Sequence, residues 1–379
     1  MKILHLASHT GNIGDNASHI GFRNVLSSIV KERFQIDELE IRRFYISYSL
    51  PDKLFFDDAF AARVNTYDLL VIGGGGFLDF WVEGSVTGTT LNISEEILNK
   101  ITTPVFISSV GCIPHKDIPE GNVEKFRRFL DTLLSRKKTF LAVRNDGSSQ
   151  VLKELIGKKY FEKIPVVLDH GFFYENDGTR YKPCEEPYIL INTTDDQVKM
   201  LNRKTGRVDE QTFIDEMHKV IKYIIDQTRL SIVFAPHIYS DYKAIDLLVS
   251  RINNFYLRSR VVVAPYVQND FGCNQIFSAY KNSLLVVGMR FHANVCSLAM
   301  DVPAVGIAAL DRVSSVYESV NLPSLAIPVN EHLSERTIHL INSATRGELS
   351  TVNPELLKNK RSKTIDLYTD ALNNFELLK

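Results

Sequence analysis

The chain reads as an α/β protein with two Rossmann-like domains facing each other across a cleft and a helical tail at the C-terminus. Three observations predict this. Short apolar runs alternate with helix-period segments along the whole length. Those runs end in polar or glycine-containing elbows, as buried parallel strands do where they feed helices. Finally, 379 residues exceed one ordinary core, so two domains of comparable size are expected.

In chain order, Lys2–Leu6 is the first strand, and its elbow carries Gly11, Asn12, Gly14, Asp15 and Asn16. The next helix has apolar residues at Ile20, Val25, Ile29 and Val30, compatible with one buried face, and Asp15 or Asn16 supplies its cap. Leu69–Ile72 is a strand that leads into four consecutive glycines, Gly73 to Gly76. Each glycine costs about 1 kcal/mol in regular structure, so close approach of backbone to a bound group is the expected reason for Gly74 and Gly75. The segment from Phe80 to Thr90 reads as a mobile loop over the acceptor. Strands Pro104–Val110 and Thr139–Val143 come next, the second closing on Arg144, with a helix over roughly Gly121–Lys137 between them. Val166–Leu168 leads to Asp169 and His170, which read as hinge structure.

Composition shifts over Phe172–Pro187, where turn formers without periodicity mark the linker. The expected domains are therefore 1–175 on the acceptor side, 186–335 on the donor side, and a tail over 336–379 packing back on the first. In the second half, strands are expected at Tyr188–Asn192, Leu230–Ala235 (leading to His237), Arg260–Ala264, Ser283–Gly288 and Ala304–Ala308. Helices are expected at Asp209–Gln227 and Gly272–Lys281, with two more beyond Pro328.

The stretch Leu284–Ala308 organises the rest. Its strand gives way to Arg290, Phe291 and His292, then to a helical run from Ala293 to Met300 that Asp301-Val302-Pro303 stops. Ligands of open α/β sheets sit at the carboxyl ends of strands, beside helix N-termini that favour anions. An arginine and a histidine placed there suit a negatively charged ligand.

Composition narrows the function. A formal net charge of −1 gives no reason to expect nucleic acid. The clusters Arg136-Lys137-Lys138 and Lys358–Lys363 read as solvated helix faces. Four scattered cysteines without CxxC spacing argue against structural zinc and fit a reducing cytoplasm. The opening MKILHLAS reads as a strand rather than a signal peptide, and no stretch approaches the roughly 20 apolar residues of a membrane span. The first elbow is not GxGxxG, so a dinucleotide cofactor lacks its fingerprint. Neither a cofactor nor a metal is expected.

Taken together, five segments resemble the polysaccharide pyruvyl transferase family: Gly11–Ala17, Gly73–Leu78, Ser109–Pro114, Arg144–Ser148, and Met289–His292 through Pro303. The resemblance spans about residues 8–318 and departs at Ile113, Asn145 and Asp311-Arg312, where the family tends to a glycine, an acidic residue and a lysine. It implies a fold similar to GT-B glycosyltransferases, phosphoenolpyruvate as donor, and a saccharide acceptor of surface polymer assembly. A lipid-linked acceptor would place the enzyme at the periphery of the cytoplasmic membrane.

Under that resemblance Arg290 and Arg144 are the expected grips on donor carboxylate and phosphate, helped by the Phe291 amide. His292 is the expected acid or base, and Asp15 either orients an acceptor hydroxyl or caps its helix. Gly11, Asn12, Gly14, Asn16, Gly74, Gly75 and His237 complete the expected substrate contacts. Two other classes compete. One is a nucleotide-sugar glycosyltransferase, with Glu318 on the ribose; the other is a non-catalytic saccharide-binding relative.

Overall fold

A strand covered by helices on both faces needs apolar side chains at consecutive positions, not alternate ones. The computed structural model, which describes residues 1–206 and 208–378, shows that arrangement in two units. The first holds β1 (Lys2–Ala7), β2 (Gln35–Glu40), β3 (Leu69–Gly73), β4 (Val105–Val110), β5 (Thr139–Arg144) and β6 (Val166–Val167). They form a parallel sheet in the order β2-β1-β3-β4-β5-β6. The second holds β7 (Tyr188–Asn192), β8 (Ser231–Phe234), β9 (Val261–Val263), β10 (Leu285–Gly288), β11 (Ala304–Ala308) and β12 (Ala326–Pro328). Its parallel order is β12-β11-β10-β7-β8-β9.

Both faces of the second sheet are buried, and β7 shows how. Ile189 and Ile191 enter one apolar cluster with Val287, Ile221 and Ile307. Tyr188 and Leu190 enter another with Val286, Phe277 and Cys296. In the first unit Leu4, Ile72, Ile107 and Val143 pack with Phe126, Leu130 and Leu133 of the helix Asn122–Ser135. The α/β class and the two parallel sheets agree with the reading from sequence, which placed five of the six strands in each.

The units do not divide at a single point. The first comprises residues 1–9, 23–170 and 358–379; the second comprises 10–22 and 171–357. Residues 10–22, which sequence alone assigned to the first domain, group with the second because Ile13 and Ala17 are fully buried beside Tyr174, Leu190 and Phe277. The helix Leu333–Thr345 also stays with the second unit: the Glu216 carboxylate accepts from the Ser334 amide and hydroxyl, at 2.8 and 2.6 Å.

Of the expected tail, only the last helix, Pro354–Asn374, reaches the first unit, which it joins from Lys358 onward. Tyr368 anchors it, with its hydroxyl bonded to His170 Nε2 at 2.8 Å and to Ser108 Oγ. The Thr364 hydroxyl accepts from the amide of Leu168 at 3.1 Å. Asp169 and His170, expected as hinge structure, are fully buried in this network.

Two loops have internal structure that the sequence did not show. The segment Phe80–Thr90, expected as a mobile loop, has a packed interior. Ser85, Thr87 and Thr89 are buried and joined hydroxyl to hydroxyl at 3.1 and 3.0 Å, and the Asn122 amide donates to the carbonyls of Phe80, Val82 and Gly88. The glycine run also has an internal cause. A Cβ on Gly73 would sit 2.4 Å from the Ser108 carbonyl oxygen, and Gly74 has a φ of +78°. A Cβ on Gly75 would meet the Phe77 ring at 2.5 Å.

The only tryptophan, Trp81, lies in the first unit, so its fluorescence reports on the unfolding of that unit. Tyr368→Phe leaves Ser108 and His170 buried without their shared partner and should lower that unit's stability by about 1–3 kcal/mol. An unchanged urea midpoint in Trp81 fluorescence would reject the anchor.

Candidate functional site

In the second sheet the chain runs outward from β7 through β8 to β9, then returns to the other side of β7 at β10. The strand order reverses between β7 and β10, and ligands of open α/β sheets bind at the carboxyl ends flanking such a reversal. Here those ends carry Asn192 and Thr194 after β7, Asp241 opening the helix Asp241–Val249 after β8, and Arg290 after β10.

Arg290 joins all three. Its Nη2 donates to Asp241 Oδ1 at 2.5 Å, Asp196 Oδ2 at 2.8 Å and Thr194 Oγ1 at 2.9 Å. Its Nε lies 3.2 and 3.3 Å from the two Asp241 oxygens, and its backbone amide donates to Asn192 Oδ1 at 2.9 Å. Asp241 is fully buried and also accepts from the amides of His237 and Ile238. Burial opposes the Arg290 charge, but the Asp241 and Asp196 carboxylates outweigh it and raise its pKa, so the guanidinium stays ionised. Two of the three guanidinium nitrogens are thus committed to protein groups. Nη1 makes no hydrogen bond among the described residues.

The next helix, Phe291–Ala299, begins directly at this elbow, which puts His292 in its first turn. Its imidazole Nδ1 lies 3.7 Å from Asp15 Oδ1, and both residues are largely buried. Asp15 is itself placed by Asn12, whose amide donates to the same Oδ1 at 3.0 Å and whose side-chain oxygen accepts from the Gly14 amide at 2.9 Å. Gly14 is where the two segments touch. A Cβ there would lie 2.8 Å from His292 Cβ and 3.0 Å from Nδ1, so any other residue would push the imidazole away. The loop is also fixed from behind: Ile13 donates to the His237 carbonyl at 3.1 Å and Gly11 to Gln268 Oε1 at 3.2 Å. Asn16 is buried at the start of the helix Ile13–Ile29.

Thus Gly11, Asn12, Gly14, Asp15, Asn16, Arg290, Phe291 and His292 share one unit. His237 shares it too, but not as a surface group. It is fully buried, bonded through Nε2 to the Tyr280 hydroxyl at 2.8 Å and packed on Phe277. Burial, then the charges of Arg290 and His292, hold its pKa well below the ordinary 6.5, so it is neutral at pH 7.

The other expected residues belong to the first unit. Arg144 is 3% exposed, with Nε donating to Asp146 Oδ2 at 2.6 Å and Nη1 to Asp169 Oδ2 at 3.2 Å. Burial again opposes its charge, and the two carboxylates again raise its pKa. Asp146 accepts from the Ser148 amide and hydroxyl, and the Ser148 hydroxyl accepts from the Cys112 amide. Beside them Ser109, which donates to Asp169 at 3.3 Å, sits at a register shift in β4 with a φ of +54°. Gly74 and Gly75 lie just past the end of β3.

Sequence reasoning missed Asn192, Thr194, Asp196 and Asp241. The polar run Asn192–Asp196 after an apolar strand was a readable signal; Asp241 stands seven residues past its strand and had none. Among the described residues, no group of three His, Cys, Asp or Glu is placed to hold a metal.

The model of one family, polysaccharide pyruvyl transferase, matches residues 12–311, which include both arginine networks and the His292–Asp15 pair. The chain belongs to the polysaccharide pyruvyl transferase family. No curated protein sequence matches it. Among solved structures it is similar to UDP-GlcNAc 2-epimerase from Methanocaldococcus jannaschii, with a TM-score of 0.56 and 12% identity over 97% of this chain and 100% of that one. It is also similar to UDP-GlcNAc 2-epimerase from Neisseria meningitidis, with a TM-score of 0.53 and 11% identity over 98% and 100%. A glycosyltransferase from Rickettsia africae gives 0.52 and 12% over 99% and 94%. These likenesses give this family member a GT-B-like fold.

Removing one partner of a buried ion pair strands the other charge, so Arg290→Ala and Asp241→Ala should each destabilise the second unit by about 3–5 kcal/mol. The double substitution should cost clearly less than their sum, read by urea unfolding. Additive losses would mean that the two side chains do not act as a pair.

Acid should weaken this unit as well. The unfolded chain takes up a proton on His237 near pH 6.5, whereas the folded chain resists it. The stabilisation is therefore complete above about pH 6.5 and lost as pH falls from there toward the folded pKa. His218, depressed by burial and by Arg251 and Lys222, acts in the same direction. The thermal midpoint should fall between pH 7 and pH 5, and His237→Gln should flatten that slope; an equally steep slope would rule His237 out.

Proposed function

We propose that this protein moves the pyruvyl group of phosphoenolpyruvate onto two hydroxyls of a surface-polysaccharide sugar or its lipid-linked precursor, forming a ketal and releasing phosphate. The observation that carries this reading is the His292–Asp15 pair beside Arg290 at the strand-order reversal, in a chain of the pyruvyl transferase family.

The chemistry asks for a proton carrier. The donor's methylene carbon gains a proton and becomes a methyl group while the first sugar hydroxyl adds to the adjacent carbon. The second hydroxyl then displaces phosphate. Each hydroxyl gives up a proton; one balances the new methyl group and the other leaves with the phosphate. A histidine that first donates and then accepts meets this need, and a neighbouring carboxylate orients the imidazole and stabilises its charged form. Asp15 takes that role in this reading, rather than contacting the acceptor. The donor's negative charge suits Arg290 Nη1 and the N-terminus of the helix Phe291–Ala299. Arg144, closed in by Asp146 and Asp169, serves to position those carboxylates.

The test is phosphate release from phosphoenolpyruvate with a panel of lipid-linked and nucleotide-linked saccharides. His292→Ala should lower turnover by roughly 10²–10⁴-fold. His292→Gln keeps a hydrogen-bonding group but cannot exchange a proton, so donor binding should persist while turnover is lost. Full activity in both variants would remove His292 from the chemistry. Release of a nucleoside diphosphate from a nucleotide sugar, without phosphoenolpyruvate turnover, would replace the reading with glycosyl transfer.

A further inference from the structure

We propose a second anion site on the opposite edge of the second sheet, built by Arg180, Lys182 and Lys281 for a phosphate-bearing ligand. The segment before β7 and the helix Asn269–Lys281 before β10 meet at the amino ends of those strands, whereas Arg290 and His292 stand past the carboxyl ends. Between them lies a cavity of about 470 Å³, lined by these three cations together with Asn176, Thr179 and Ser278. That volume lies within the range of small-molecule sites.

Its walls are fixed. The Tyr181 amide donates to Ser278 Oγ at 2.8 Å, and Asn176 Nδ2 donates to the Asn274 carbonyl at 2.7 Å. Asn176 Nδ2 also reaches the Tyr174 hydroxyl, which donates to Asn274 Oδ1 at 2.7 Å. The segment that carries Arg180 is thus stitched to the helix that carries Lys281.

Its charges are only partly compensated. Arg180 and Lys281 have no acidic partner among the described residues, and Lys182 pairs only with Glu185, which is 94% exposed. The nearby Asp177 carboxylate is turned onto its own loop, accepting from the Thr179 amide at 2.9 Å and hydroxyl at 2.6 Å. Lys281 has a structural reason to be there, since a cation suits the last turn of a helix. Arg180 has none, and like charges gathered around one cavity repel unless an anion joins them. A phosphomonoester or diphosphate matches the planar guanidinium and the two ammonium groups. The group belongs either to a free small molecule or to a lipid headgroup.

Titration calorimetry with pyrophosphate in a phosphate-free buffer tests the first source. Sedimentation with phosphatidylglycerol vesicles, against phosphatidylcholine vesicles, tests the second. The wild-type chain should bind one of these probes saturably. The Arg180→Gln/Lys281→Gln variant, whose side chains are exposed and whose fold is checked by circular dichroism, should bind at least tenfold more weakly with unchanged phosphoenolpyruvate turnover. Loss of pyrophosphate binding in the variant identifies a free ligand; loss of vesicle capture alone identifies a headgroup. Absence of both kinds of binding in the wild type, or equal binding in the variant, would overturn the proposal.

Discussion

The site of the second unit depends on one buried contact, the Arg290 guanidinium against the Asp241 carboxylate. Asp241 is fully buried, and a lone carboxylate there would be costly. Arg290 answers that cost, and with the same nitrogen it reaches Asp196 and Thr194. The ends of β7, β8 and β10 are thereby tied together by one side chain. A buried ion pair is weak evidence for net stability, because desolvation offsets most of its attraction. What it fixes is position: the helix that carries His292 starts one residue after Arg290.

That constraint alters how the elbow handles charge. An arginine bound to two carboxylates contributes little free positive potential, so an anion would be held by what remains. These are Nη1, the helix N-terminus and the imidazole. All of them depend on the backbone geometry of the elbow, which Asn192 sets from β7 through the Arg290 amide. The Thr10–Asn16 loop then acts as a wall rather than a flexible cradle. Gly14 is pressed against His292, and Asn12 spends its side chain on Gly14 and Asp15.

The fold was legible because strands buried on both faces leave continuous apolar runs, and β7 and β11 were read to the residue. The strands missed were β2 and β12, both at sheet edges. β2, Gln35–Glu40, is mostly polar with only Ile36 and Leu39 apolar, so it leaves neither a continuous apolar run nor an alternation, and β12 is only three residues long. Of the site, Arg290, His292 and the Gly11–Asn16 turn could be read, since each comes directly after a strand. Asp241 could not, because its role comes from burial and a contact across 49 positions in the chain. The glycine run has internal reasons that the sequence did not show, for a related cause. Its neighbours, Ser108 and Phe77, are protein groups that only the folded chain brings close.

Both sheets close a strand with an arginine, and both arginines are held by two carboxylates. Arg144 ends β5 and takes Asp146 and Asp169, which lie past β5 and β6. Parallel strands have no hairpins to bind their ends together, and a guanidinium with several donors in one plane solves that problem in each unit. A strand-end arginine is therefore a mark of a braced elbow before it is a mark of a ligand. The two elbows differ in the residues just past the arginine. After Arg144 come Asn145, Asp146 and a helix of only four residues, Ser148–Val151, with no group that exchanges protons near neutral pH. After Arg290 the helix begins at once, and its second residue is an imidazole facing a carboxylate brought in from Asp15. The same bracing serves both units; only in the second does it set an imidazole beside a carboxylate.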